Sequence, residues 1–295
     1  MSKMTAKNTI RSSGLHSSLI ARGVHLIDNP DDLDQDAFGI CGVVSILRVL
    51  LDHSPDKFAD IAVDCVKHSK VSEIYQIWVQ HRGNNDALLD FLMGHYLIDA
   101  AGKASGLSIT EWRELPSSTY STSPSSSITT KTTSGTELIK KQKAFSDLFK
   151  NEDPSLAQWQ AQGHFALTQT GVAYIMSKIA GAAETEKIAW SLSFGPTLTE
   201  AKRVTNGKQT PFILAGIKDA VGPAWVDGAV TETPCKTPAH DEPKFGHWVV
   251  INDIQLVDKY YVVDLWTWTT QRTVKFGTAV LRGYIYGLVA GYVSN

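Results

Sequence analysis

Cysteine is scarce and odd in number: Cys41, Cys65 and Cys235 are the three in the chain. Three thiols build no disulfide framework, and the count suits a reducing compartment in which a reactive thiol survives. An excess of one charge is lacking as well. The formal net charge is −2, which removes the electrostatic case for binding nucleic acid or an acidic membrane surface. No uninterrupted apolar run approaches the ~20 residues of a membrane-spanning helix. The first residues lack the charged start and continuous apolar core of a signal peptide. The protein is therefore expected in the cytoplasm, or delivered into a target cell by a non-Sec secretion system. No glycine-rich phosphate loop is found, and no cofactor is expected.

What the chain does have is apolar mass, 43% over 295 residues, enough for one large domain or two small ones. Residues 1–27 hold Lys3, Lys7, Arg11 and Arg22 without an acid. They read as a flexible N-terminal segment, with a transit peptide or an export signal as competing readings. Residues 40–53 read as a buried helix. Ser45, Arg48 and Asp52 fall on one narrow stripe, and Val43, Val44, Ile46, Leu47, Val49, Leu50 and Leu51 cover the rest. Further helices are expected at 57–68, 71–81, 86–101, 137–150 and 165–182. Fifteen of the twenty residues 117–136 are Ser or Thr, too little apolar surface to repay ordering, so this stretch is expected to be a disordered insertion.

Beyond residue 211 the period changes. Phe212–Ile217, His247–Leu256 and Tyr260–Trp268 read as strands, the last two joined by a turn at Val257-Asp258-Lys259, and a further strand pair fits between Thr273 and Val293. Helices first and antiparallel strands last is an α+β pattern. The expected organisation is a mainly helical lobe at 28–182 and a β-rich lobe at 183–295, forming one catalytic domain.

Residues 35–42 read Gln-Asp-Ala-Phe-Gly-Ile-Cys-Gly and run into the buried helix. Cys41 thus sits at a helix N-terminus, where partial positive charge and unpaired N–H groups favour a thiolate. A thiol nucleophile needs a base, a group that orients the base, and donors aimed at the developing oxyanion. His247, preceded by Gly246, opens a predicted strand and is the candidate base. Asp264 lies on the next strand among Val and Trp residues, where a carboxylate implies a partner. Gln35 is a candidate oxyanion donor alongside the Cys41 N–H. Cys235, His240, Asp241 and His247 fall within thirteen residues, a spacing that can bind zinc. No second CxxC or HxxxH accompanies them and prolines punctuate the stretch, so no metal is expected.

The set Gln35, Cys41, His247, Asp264 and Trp266 resembles the papain-like cysteine peptidase superfamily. There, Gln precedes by six residues a Cys that opens a central helix. A His on a strand follows, then Asn or Asp on the adjoining strand, with Trp two residues later. The resemblance implies a papain-like fold, with the Cys41 helix packed against an antiparallel sheet that carries His247 and Asp264. It also implies a Cys-His-Asp triad, an oxyanion site at Gln35, and a Trp266 that shields the His–Asp bond. Gly42 departs from papain itself, which has Trp after the nucleophile. That departure, the Asp in place of Asn and the 206-residue Cys–His interval resemble divergent bacterial effectors or toxins of the superfamily.

The function expected on this basis is a cysteine peptidase cleaving protein amide bonds. One alternative is a deamidase or acyltransferase acting on a protein glutamine side chain, and another is a non-catalytic binding protein on the same fold. The partner expected is a protein substrate, with no nucleic acid and no membrane span.

Overall fold

A computed structural model describes residues 3–33, 41–67, 89–90, 92–94, 96–97, 167–188, 194–218, 223–235, 247–267 and 269–293. The chain is mixed α+β, with helices packed on a seven-stranded, mostly antiparallel sheet. Among the described residues no helix is long and apolar enough to cross a membrane.

Helix α3 (Cys41–His53) is the centre of the helical layer. Its residues from Cys41 to Leu51 are all buried, as a helix apolar on most of its circumference must be. Ser54 separates it from α4 (Pro55–Lys67), and Pro55 starts that helix where its missing N–H costs nothing. Phe58, Ala59, Ala62 and Cys65 of α4 are fully buried, at spacings of three and four.

The expectation of a flexible segment at 1–27 is corrected. Lys3–Arg11 forms α1 and Ser17–Asp28 forms α2. Ala6, Ile10 and Leu26 are fully buried, and Leu19 nearly so. The close fit extends to Gly23, where a Cβ would lie 2.9 Å from Ile10 Cδ1. Helix α1 is polar on average, with a thin apolar stripe, while α2 is richer in apolar residues. Such a stripe holds a helix only when a core receives it, and α4 does so for α1.

Helix α5 (Gln169–Tyr174) continues into a π turn at Ile175–Ile179. The strands are β1 (Ala182–Lys187), β2 (Pro211–Ile217), β3 (Val230–Thr231), β4 (His247–Val257), β5 (Tyr260–Thr267), β6 (Thr270–Gly277) and β7 (Ile285–Val293). Helix α6 (Phe194–Thr205) follows β1, and α7 (Leu281–Tyr284) precedes β7. The sheet order is β1-β7-β2-β4-β5-β6-β3, and the β3–β6 pair alone is parallel. The strands expected between Thr273 and Val293 both form, but they do not pair with each other. Strand β6 extends the β4–β5 meander, while β7 inserts between β1 and β2.

Side chains alternate across the sheet and feed two cores. Phe212, Leu214, Trp248, Val250, Trp266 and Val289 pack with α1–α4. Ala215, Ile217, Val249, Val263 and Leu265 pack on the other side with Trp225 and with Leu198 and Ala201 of α6. The helical half and the sheet therefore share a core instead of forming two independently filled lobes. Strand β1 and α6 were not anticipated. The helices expected at 71–81 and 137–150 and the insertion at 117–136 lie outside the described residues. The one expected at 86–101 is helical at its described positions.

Candidate active site

Helix α3 is described from Cys41 onward, and Cys41 is 7% exposed. Its first turn is anchored to the sheet four residues on, where Ser45 Oγ donates to Trp248 O at 3.0 Å. That bond carries the N-terminal end of α3 onto the start of β4. Gly42 is explained by the same approach. A Cβ there would lie 3.2 Å from Leu167 Cδ1 and 3.3 Å from Trp248 Cδ1. Trp248 is itself fixed, its Nε1 donating to Leu167 O at 2.8 Å.

Cys41, Val44 and Ser45 of α3, His247 and Trp248 of β4, Trp266 of β5 and Leu33 enclose a hollow of about 10 Å3, room for one water-sized group. Two residues 206 positions apart, Cys41 and His247, thus both line the hollow, although strand alternation puts the His247 ring on the sheet face of Val249 and Ile217, opposite Trp248 and Trp266. His247 Nε2 lies 2.6 Å from Thr267 Oγ1 in a buried hydrogen bond. Burial, and then the Arg272 charge, pushes the imidazole down to about 3. The ring is therefore neutral at physiological pH.

Asp264 is not at the histidine, and this corrects the expected triad. The interval of seventeen residues is divided unevenly by the turn. Ten residues separate His247 from Val257, but only four separate Tyr260 from Asp264. The register pairs Asp264 with Asp253, past an irregularity after Ile251. At ~3.3 Å per residue that places it on the order of 20 Å along the strand from His247. Its carboxylate accepts from Thr273 Oγ1 at 2.5 Å. The residue that meets His247 is Thr267, which sequence reasoning missed. The same register, Val250 against Trp266, sets Thr267 across from Val249 and diagonal to His247, on one face. Counting outward from the turn would have found it.

Trp266 reaches the hollow as expected, but it shields no His–Asp bond. The Arg48 guanidinium lies 5.5 Å from its ring centroid. Arg48 is held by Asp31 at 2.9 Å and by Asp52, an ion-pair set within and beside α3. Gln35 lies outside the described residues, as do His240 and Asp241 of the possible zinc cluster. The other thiols have different settings. Cys65 is fully buried, donates to Ala62 O at 3.2 Å, and burial pushes its thiol up. Cys235 is half-buried beside Gly283.

No family model, no curated protein and no solved structure matches this chain.

The resemblance to papain-like peptidases thus rests on a few residues. Cys41, His247 and Trp266 line one hollow, Asp264 lies elsewhere, and the His247 ring bonds Thr267.

Proposed function

We propose that the protein is a thiol hydrolase, with Cys41 as nucleophile, His247 as its base and Thr267 in the orienting role expected of Asp264. The observation that carries this is the shared hollow, which Cys41 of α3 and the buried His247 both line. Thr267 engages Nε2, so in this reading the ring turns toward the thiol and Nδ1 serves it. In this reading neutral His247 takes the thiol proton as Sγ attacks an acyl carbon. It returns that proton to the leaving group, then activates the water that releases the acyl group. The substrate class favoured by the residue pattern is a protein amide.

The test is site-selective alkylation. Iodoacetamide at pH 6 should modify Cys41 at least ten times faster than Cys65 or Cys235, read by peptide mass spectrometry. His247→Ala should remove the advantage, and Asp264→Asn should leave it unchanged. Equal rates at the three thiols would sink the proposal. Incubation with protein substrates then separates outcomes: cut chains mark a peptidase, and a +1 Da shift on an intact chain marks a deamidase.

A second reading, a protein that binds without catalysis, is favoured by one observation. His247 is held neutral and already hydrogen-bonded, in a hollow only large enough for a single small group. Slow, uniform alkylation is the result that this reading expects.

A further inference from the structure

Trp266 carries a buried indole N–H. The residue is 2% exposed, and no acceptor meets its Nε1 among the described residues. An unpaired buried donor costs about 1–3 kcal/mol, and phenylalanine would avoid that cost. Two other buried indoles are satisfied. Trp248 Nε1 donates to Leu167 O at 2.8 Å, and Trp225 Nε1 to Lys218 O at 2.9 Å. Trp248 and Trp266 both line the hollow with Cys41 and His247, and Trp266 is the one of the two whose N–H has no acceptor among the described residues. Arg48 lies beside its ring, ion-paired to Asp31 and Asp52.

We propose that Trp266 Nε1 donates a hydrogen bond to the oxygen of the carbonyl that Cys41 attacks, which makes Trp266 a catalytic residue. The proposal rests on the thiol-hydrolase reading. In the step concerned, the Cys41 Sγ–C bond forms, the thiol proton passes to His247, and the carbonyl π pair moves onto oxygen. The indole N–H strengthens its interaction as that oxygen gains charge. Collapse of the intermediate breaks the bond to the leaving group, which takes the proton back from His247. A hollow of about 10 Å3 suits a single oxygen atom.

Two reagents separate this role from the thiol itself. Iodoacetamide alkylates sulfur by displacing iodide and forms no oxyanion, whereas p-nitrophenyl acetate acylates it through one. In Trp266→Phe, alkylation of Cys41 should stay within about twofold of wild type, while acylation should fall by about 100-fold, the scale of a lost oxyanion donor. Cys41→Ala supplies the background. Equal acylation in the two proteins, with alkylation intact, overturns the role of Trp266 and leaves the thiol reading standing. A wild-type Cys41 inert to both reagents overturns both. If the variant loses its near-UV circular dichroism, the wild-type indole resonance decides. On adding acetaldehyde, the Trp266 1H–15N signal should move downfield as the hemithioacetal forms, and should stay in place in Cys41→Ala. A resonance unmoved in wild type by a hemithioacetal confirmed by mass overturns the proposal.

Discussion

His247 shows how far a single residue's setting can depart from its sequence context. An imidazole that opens a strand among Gly and Trp is expected to titrate near its ordinary value and to pair with a carboxylate. Burial and the Arg272 charge instead hold it neutral down to about 3, with a threonine as partner. This has a consequence for stability. The unfolded chain binds a proton near pH 6.5, the folded chain only near 3, so proton uptake favours unfolding across that window. Stability should be fully present above about pH 6.5 and should fall with decreasing pH, by on the order of 4 kcal/mol in total from this group. Urea midpoints measured from pH 7.5 to 4 check this. His247→Gln should flatten the profile, and parallel curves for variant and wild type would contradict the buried neutral ring.

The elements divide into those whose sequence carries their own signal and those that need a partner. Helix α3 and strands β2, β4 and β5 are legible because their apolar residues are dense and keep one period. Helix α1 is not, since basic and hydroxyl residues surround a stripe of few apolar positions, Ala6 and Ile10, and α2, though apolar on average, lies but for Asp28 in the same acid-free stretch. What stabilises α1 is the packing of that stripe. Ile10→Ala should therefore destabilise the whole protein by about 2–5 kcal/mol, the range for a buried isoleucine truncated without collapse of the site. Thermal or urea unfolding tests it. A loss below ~0.5 kcal/mol, typical of exposed positions, would return the segment to the status of a tail. Strand β1 escaped notice for a related reason. Ala-Ala-Glu-Thr-Glu-Lys has no apolar alternation, and the strand exists at the sheet edge because β7 offers it a ladder.

At the scale of the whole molecule, one sheet carries a core on each face, and the hollow lies where α3 meets the first residues of β4 and the last of β5. Strands β2 and β4 are flanked on both sides and by both cores, whereas β3 is a two-residue edge. Hydrogen exchange should follow this arrangement. Amides of Leu214, Ala215 and Val249 should exchange only through global unfolding, and those of Val230 and Thr231 should exchange orders of magnitude faster. Exchange of the β2 amides as fast as β3 would show that the two cores do not open as one unit.

The sequence by itself determined that the chain is α+β, that Cys41 opens a buried helix, and that His247 opens a strand folded back on the next. These are local properties, set by hydrophobic period, turn residues and helix termini. Only the tertiary structure decided what surrounds them. A count of seventeen residues is compatible with many registers, and the position of the turn and one irregularity in β4 selected the register that removes Asp264 and supplies Thr267. Likewise Gly42 is a departure from a motif until Leu167 and Trp248 are seen against it. The acidity of His247 and the setting of the Trp266 N–H come from desolvation and from which acceptors are within reach. Both depend on residues brought together from distant parts of the chain, which no short stretch of sequence specifies.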